Sequence, residues 1–253
     1  MINLKCIAFV MLLLAVGSSS RAQDGPLVIS GSTTFQKRIL EPAQAALEKQ
    51  TGVKLEMRCV GTITGLKDLI KGTAAAAMVS APLDMAFRET GVPDEGTYQE
   101  HVILKDVMVP IVHPMNPVKA LTPQQLSEIN SGKITNWKAV GGPDQHIALV
   151  VPPRSSGTRK FLQEAVMNGG DFPAGAFTAV TTREEIDLVA RSAIAFGFLS
   201  EGFVKMNPGK VKIVKTKQPI TRQLSIVTKG QPSPEILAVI NFLKSAPAKK
   251  LFK

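Results

Sequence analysis

The sequence has few cysteines, histidines and aromatic residues, and each shortage narrows the possible functions. In 253 residues there are two cysteines and three histidines, and aromatic residues make up 5%. No His, Cys, Asp and Glu residues cluster at metal-ligand spacing, and no dinucleotide-binding or Walker motif is present. Few aromatic residues and scattered lysines disfavour a nucleic-acid partner. We therefore expect no metal, no cofactor and no nucleic acid.

The N-terminus predicts a secretory signal peptide. Residues 1–5 form a short n-region whose charge is Lys5, residues 6–16 form an apolar run, and residues 20–22 match a small-x-small cleavage site. We predict cleavage after residue 22, hence residues 1–22 as signal peptide and an exported mature protein. A retained membrane anchor is the alternative, although the run is short for a bilayer. Without Cys6 the mature chain keeps only Cys59, so no intrachain disulfide can form, and we expect Cys59 to pack as a small apolar residue.

The mature chain is basic. Loss of Lys5 and Arg21 reduces the 30 basic residues to 28, against 20 acidic ones, which leaves a net charge near +8. A positive surface attracts nucleic acid, membranes or small anions by long-range electrostatics. Because nucleic acid is disfavoured by composition, small anions are the leading class. The length allows one large domain or two small ones.

Apolar runs typical of strands alternate with helical patterns along the mature chain. This alternation predicts an α/β protein with mostly parallel sheets. Polar loops follow four predicted strands, at residues 30–34, 61–65, 80 and 154–158. Ligands of open α/β sheets bind where strands end and helices begin, which is where these loops fall.

The loop at Arg154-Ser155-Ser156-Gly157-Thr158 leads from a strand into a helix. The first amides of a helix lack intrahelical partners and favour an anion. Serine and threonine add hydroxyl donors, glycine permits close approach of the backbone, and Arg154 or Arg159 supplies charge. For one such loop, Ser156 as an ordinary N-cap is an equally natural interpretation. Several loops of this kind in one basic chain favour an anion cradle.

Several stretches resemble the phosphate-binding periplasmic proteins of ABC transporters, which have the type II periplasmic-binding-protein fold. The resemblance covers nearly all of the mature chain, and its most specific part is Lys133 to Gly142. The matching stretches are residues 31–35, 61–66, 116–122, 131–142, 156–159 and 194–198.

The resemblance implies an α/β fold of two lobes with mixed, mostly parallel sheets, helices on both faces and a ligand cleft between the lobes. Two crossing segments would join the lobes, at residues 104–112 and around 203–222. The first lobe would then comprise residues 23–105 plus 222–253, and the second residues 106–221.

The resemblance also implies a set of ligand-binding residues. Two positions depart from the family pattern: Pro152 replaces an arginine, and Ser80 replaces an aspartate that accepts a proton from bound phosphate. A hydroxyl can donate or accept, which weakens this basis for rejecting sulfate. The expected ligand-binding residues are Ser32, Thr33, Thr34, Thr62, Ser80, Arg154, Ser156, Gly157 and Thr158.

The leading hypothesis is a periplasmic solute-binding protein that captures a small oxyanion, phosphate first, for an ABC permease in the inner membrane. We expect a monomer without enzymatic activity. The histidines at 101, 113 and 146 lie outside the four loops, so the cleft is poor in general bases. Two alternatives stay open: an isomerase-like enzyme acting on small carboxylic acids, and a secreted anion-sensing or adhesion module.

Overall fold

The computed structural model describes residues 26–94 and 96–252. The predicted signal peptide lies outside the described residues. Among the described residues, none of the helices combines the length and apolar character that a membrane span requires.

The first third of the chain forms repeated strand-turn-helix units, as predicted. Its strands are β1 (Leu27–Gly31), β2 (Leu55–Arg58) and β3 (Ala76–Val79), and its helices are α1 (Thr33–Phe35), α2 (Glu41–Thr51), α3 (Thr62–Lys71) and α4 (Leu83–Arg88). A π-helical turn, Gln36–Leu40, joins α1 to α2. The backbone stays helical from this turn into α2, and the turn ends two residues before Pro42, which lacks a backbone N–H donor.

Two long strands run through the middle of the molecule. Strand β4 (Tyr98–Val112) pairs antiparallel along its length with β11 (Ile220–Lys229), from Ile220 opposite Met108 to Lys229 opposite Tyr98. The two strands therefore belong to both halves of the protein.

The middle of the chain builds the second half. Its strands are β5 (Ala120–Leu121), β6 (Ala148–Val151), β7 (Phe177–Thr178), β8 (Ala195–Ser200), β9 (Lys212–Ile213) and β10 (Lys215–Thr216). Its helices are α5 (Pro123–Asn130), the 3-10 turn Trp137–Val140, α6 (Gly157–Met167), α7 (Thr182–Arg191) and α8 (Glu201–Lys205). The chain ends in α9 (Pro234–Lys244) and α10 (Ala246–Phe252), which pack against α2 in the first half.

The main sheet has the order β2-β1-β3-β11-β4-β8-β6-β7, with β9 beside β4. Parallel pairs lie on both flanks, whereas β4 and β11 pair antiparallel with their neighbours. The predicted mixed α/β fold is confirmed. One continuous sheet passes through both lobes, because β11 pairs with β3 of the first lobe, β4 pairs with β8 and β9 of the second, and β4 and β11 pair with each other.

Separate hydrophobic cores define the two lobes. One core gathers side chains of β1, α2, β11 and α9 around Phe35, Leu47 and Leu224. A second gathers side chains of β6, α5 and β8 around Trp137, Phe196 and Phe161. Each lobe has one smaller cluster besides, around Leu66 in the first lobe and around Ile186 in the second. Because each lobe buries its own apolar surface, the space between them can be polar.

Candidate functional site

A cavity of about 120 Å³ lies between the two lobes. It is smaller than the roughly 300–1,000 Å³ pockets of drug-sized ligands, so its size suits a small ion. Of the expected binding residues, six line it: Ser32, Thr33, Thr34, Thr62, Ser156 and Thr158.

The loop after β1 supplies the first group of hydroxyls. Ser32 is the N-cap of α1, where its Oγ accepts from the backbone N of Phe35 at 3.2 Å. The two threonines that follow point to the other lobe: the hydroxyls of Thr33 and Thr34 each lie 3.1 Å from Oγ1 of Thr182. This loop therefore forms one wall of the cavity and also contacts the opposite wall.

The start of α3 supplies Thr62, and Ser80 lies behind it. The Ser80 backbone N donates to Thr62 Oγ1 at 3.2 Å, and the two hydroxyl oxygens are also 3.2 Å apart. Ser80 is 1% exposed and does not line the cavity. The structure thus places Ser80 where it orients Thr62.

The loop after β6 faces these two loops from the second lobe. Ser156 caps α6, and its Oγ accepts from the backbone N of Thr158 at 3.1 Å. Gly157 does not line the cavity, but a Cβ atom there would lie 2.6 Å from Thr62 Oγ1. Arg154 is exposed and does not line the cavity, so the structure does not bring it together with the other predicted residues.

The lobes touch directly beside the cavity. The backbone N of Ile63 donates to the Ser155 carbonyl at 3.0 Å. Gly61, with a φ of 89°, allows this approach, because a Cβ there would lie 2.7 Å from the same carbonyl oxygen. Together with the Thr33, Thr34 and Thr182 contacts, this bond holds the lobes together around the cavity.

Arg222 is the full positive charge on the cavity, and sequence analysis missed it. Its side chain is 0% exposed. Nε donates to Asp106 Oδ2 at 3.2 Å, and Nη1 donates to the Ser80 carbonyl at 3.1 Å and to Thr158 Oγ1 at 2.5 Å. Within residues 26–94 and 96–252, buried Nη2 has no hydrogen-bond partner. Burial lowers the pKa of Arg222 and Asp106 opposes that shift, yet a guanidinium stays charged in proteins.

Both carboxylate oxygens of Asp106 accept hydrogen bonds from protein partners. Besides Arg222, it accepts from Ser200 Oγ at 2.5 Å through Oδ1. The carboxylate therefore fixes the guanidinium from behind and leaves unpaired Nη2 for a ligand.

Helix α7 brings a fifth loop to the cavity that the sequence analysis also missed. Thr181 caps the helix, Thr182 contacts the first lobe, and Glu185 lines the cavity. Burial raises the pKa of Glu185 to about 8, opposed by a backbone N–H from Phe198 and by Arg222. The preceding strand β7 has only two residues, which is too short to give a strand pattern.

Cys59 packs against the first core, as predicted for a small apolar residue, and it also lines the cavity. It is half-buried, and its Sγ lies 3.7 Å from the Met57 carbonyl. Burial raises the pKa of its thiol to about 11. The thiol is therefore neutral at physiological pH and adds no charge to the cavity.

Comparison with known proteins agrees with the geometry of the cavity. A family model described as a PBP superfamily domain matches residues 16–247. The chain belongs to the PBP superfamily. The described residues of this PBP-superfamily protein contain no group of three His, Cys, Asp or Glu side chains that could hold a metal ion.

Individual relatives of this PBP-superfamily protein are phosphate-binding proteins. The phosphate-binding protein PstS of Bacillus subtilis is 26% identical over 267 residues, which cover 96% of this chain and 87% of the relative. A solved Clostridium perfringens structure with bound phosphate, described as a phosphate ABC transporter substrate-binding protein, has 27% identity and a TM-score of 0.78, covering 90% of this chain and 96% of that one. An ABC-type phosphate transport receptor from Vibrio cholerae has 30% identity and a TM-score of 0.68, covering 89% and 96%. These relatives are binding proteins of transport systems, as expected for a chain that is not an enzyme.

Proposed function

We propose that the protein captures a small oxyanion, phosphate first, in the cavity between its lobes. The supporting observation is buried Arg222, whose Nη2 has no partner among the described residues while the rest of its guanidinium is fixed by Asp106, Ser80 and Thr158. An unpaired buried guanidinium N–H is costly, and an anion oxygen would satisfy it. The phosphate-binding relatives favour phosphate as that anion.

The proposed ligand contacts come from both lobes. Hydroxyls of Thr34 and Thr62 would donate from the first lobe, and hydroxyls of Ser156 and Thr158 from the second, beside the amides that open α1 and α6. Such donors replace the water around the anion without adding a second full charge. Ser80 acts in this proposal through Thr62, and Arg222 replaces Arg154 as the source of charge.

Capture would couple to closure of the lobes. We propose the first lobe as residues 23–105 plus 222–253 and the second as residues 106–221, with β4 and β11 as the connections. Because donors from both lobes are needed to surround the ion, an anion binds the closed arrangement more tightly and shifts the population towards it. A membrane permease can then recognise the closed form.

The partner and location follow from the same proposal. The protein would act in the periplasm as a monomer that delivers its anion to an ABC permease in the inner membrane. Osmotic-shock release, N-terminal sequencing of the mature chain and light scattering test these points. We expect release with the periplasmic fraction, a first residue of Gln23 and a monomeric mass; a membrane-retained chain that still carries residue 1 would contradict export by cleavage.

Calorimetry of the ligand-stripped protein tests the ligand. Phosphate, sulfate, molybdate and small di- and tricarboxylates are titrated in turn, and each mixture is examined afterwards for chemical change. We expect phosphate to bind one ion per chain, unchanged after release. Binding of carboxylates without oxyanions, or conversion of any ligand, would refute the proposal.

A further inference from the structure

Among the described residues, Glu185 is the one carboxyl group that lines the anion cavity. It lies in the first turns of α7, where its backbone N donates to the Thr181 carbonyl at 3.0 Å. The residue is 3% exposed, and its Oε1 accepts from the backbone N of Phe198 on β8 at 3.1 Å. Two backbone contacts therefore hold an acid beside a site that otherwise consists of anion donors.

The second carboxyl oxygen of Glu185 is not used by the protein. Among the described residues, no hydrogen bond reaches Oε2, and no ion pair within 4.0 Å joins Glu185 to Arg222, although both line the cavity. The Nε of Arg222 donates to Asp106 instead. Burial without a cation partner disfavours the ionised form of a carboxyl group and favours either protonation or a hydrogen bond from a group in the cavity.

The protonation state decides what such a group can bind. A protonated carboxyl donates to an oxyanion oxygen, whereas a carboxylate only accepts and so needs a ligand that carries an O–H. Hydrogen phosphate carries a proton at neutral pH, and sulfate carries none. Around Glu185, the charged groups are Arg222 on β11 and, behind it, Asp106 on β4.

We propose that Glu185 is a specificity-determining residue of this cavity. Protonated, it donates to sulfate and phosphate alike; ionised, it repels sulfate and admits an oxyanion that brings its own O–H. Glu185 on α7 thus distinguishes phosphate from sulfate, which the hydroxyl of Ser80 after β3 does not do. This inference rests on the proposed function, because it assigns selectivity within the proposed anion site.

Sulfate is the probe that isolates Glu185, because it does not titrate between pH 6 and 9.5. Burial raises the pKa of Glu185 to about 8 and that of cavity-lining Cys59 to about 11, so Glu185 is the lining group that ionises in this range. We expect sulfate affinity to be level below pH 8 and to fall about tenfold per pH unit above it, since binding then requires proton uptake. Phosphate affinity should fall less.

Glu185→Gln removes the titration while keeping the size of the side chain. We expect its sulfate affinity to be level from pH 6 to 9.5. Glu164→Gln is the matched control, because it makes the same substitution at an exposed position of α6 that does not line the cavity, and it should follow the unmodified protein. The inference is overturned if sulfate affinity depends on pH in the same way in the unmodified protein and in Glu185→Gln. It is also overturned if the unmodified protein does not bind sulfate at pH 6.

A measurement on the unmodified protein covers the case in which Glu185→Gln does not fold. Sulfate titrations at pH 9 in two buffers of different ionisation enthalpy give the number of protons taken up on binding. We expect about one proton per sulfate ion, and no uptake overturns the inference. Phosphate binding without any of these sulfate effects leaves the proposed function standing, whereas failure of both anions at every pH refutes the proposed function itself.

Discussion

Gly157→Ala should weaken anion binding without weakening the fold. Gly157 opens α6 in the second lobe, and its φ lies outside the left-handed region, so alanine fits the local backbone. The obstacle belongs to the first lobe: the new Cβ would lie 2.6 Å from Thr62 Oγ1 and 3.1 Å from Ser80 Oγ. The substitution therefore acts on the contact between lobes.

The size of the effect follows from these contacts. A distance of 2.6 Å is about 0.8 Å inside the 3.4 Å at which ordinary van der Waals contact begins. Thr62 cannot rotate away freely, because its side chain is β-branched and its Oγ1 accepts from the Ser80 backbone N. Overpacking of this kind costs about 1–3 kcal/mol. Because the clash exists only in the closed form, this cost weakens anion affinity roughly 5- to 150-fold.

Two measurements distinguish an effect of the substitution on closure of the lobes from an effect on the stability of the fold. Calorimetry with phosphate gives the affinity, and thermal unfolding without ligand gives the stability, which alanine should leave unchanged or raise by about 0.4–1 kcal/mol. Gly175→Ala is the matched control, because nothing lies within 4 Å of its added Cβ and its φ is not positive. Undiminished affinity in Gly157→Ala would refute the reasoning, and so would an equal loss in Gly175→Ala.

Further substitutions test the remaining groups of the site. Arg222→Met should abolish measurable phosphate binding and lower the unfolding free energy by about 3–5 kcal/mol, since it leaves buried Asp106 without its cation. Arg222→Lys restores the charge but not the contacts with Asp106, Ser80 and Thr158. Calorimetry measures the binding of both variants, and denaturant unfolding measures their stability. Thr34→Val and Ser156→Ala should each weaken phosphate binding by about 1–3 kcal/mol in the same titration, because an anion oxygen loses its donor; unchanged affinity removes that residue from the site. For Glu185, the pKa of about 8 in the folded chain exceeds the 4.5 of the unfolded one, so folding stability falls as pH rises from about 4.5 to 8. Glu185→Gln should therefore stabilise the ligand-free protein by about 3 kcal/mol at pH 7 and little at pH 4, and an equal gain at both pH values in denaturant unfolding would contradict this.

The sequence predicted the fold because local patterns repeat along it. Strand-turn-helix units and hydroxyl-capped helix starts are local features, and Ser32 and Ser156 are N-caps in the structure. The loops that end β1 and β6 therefore meet at one cavity, as expected for strands whose carboxyl ends face the same cleft.

The charged part of the site depends on long-range pairing that no local pattern contains. Arg222 reaches Asp106 only because β11 pairs with β4, 116 residues away in sequence. One signal was available: Arg222 stands two positions before Leu224, so an arginine shares the alternation of a buried strand face. No such signal marks Glu185 in the sequence, because a charged residue in the first turns of a helix is ordinary on a solvent-facing surface.

A crystal structure of the protein grown with phosphate tests the central claim most directly. We expect one phosphate ion between the lobes, with an oxygen within hydrogen-bond distance of Arg222 Nη2 and further contacts to Thr34, Thr62 and Ser156. Phosphate bound elsewhere, or a cavity in which Arg222 Nη2 meets only protein atoms, would contradict it.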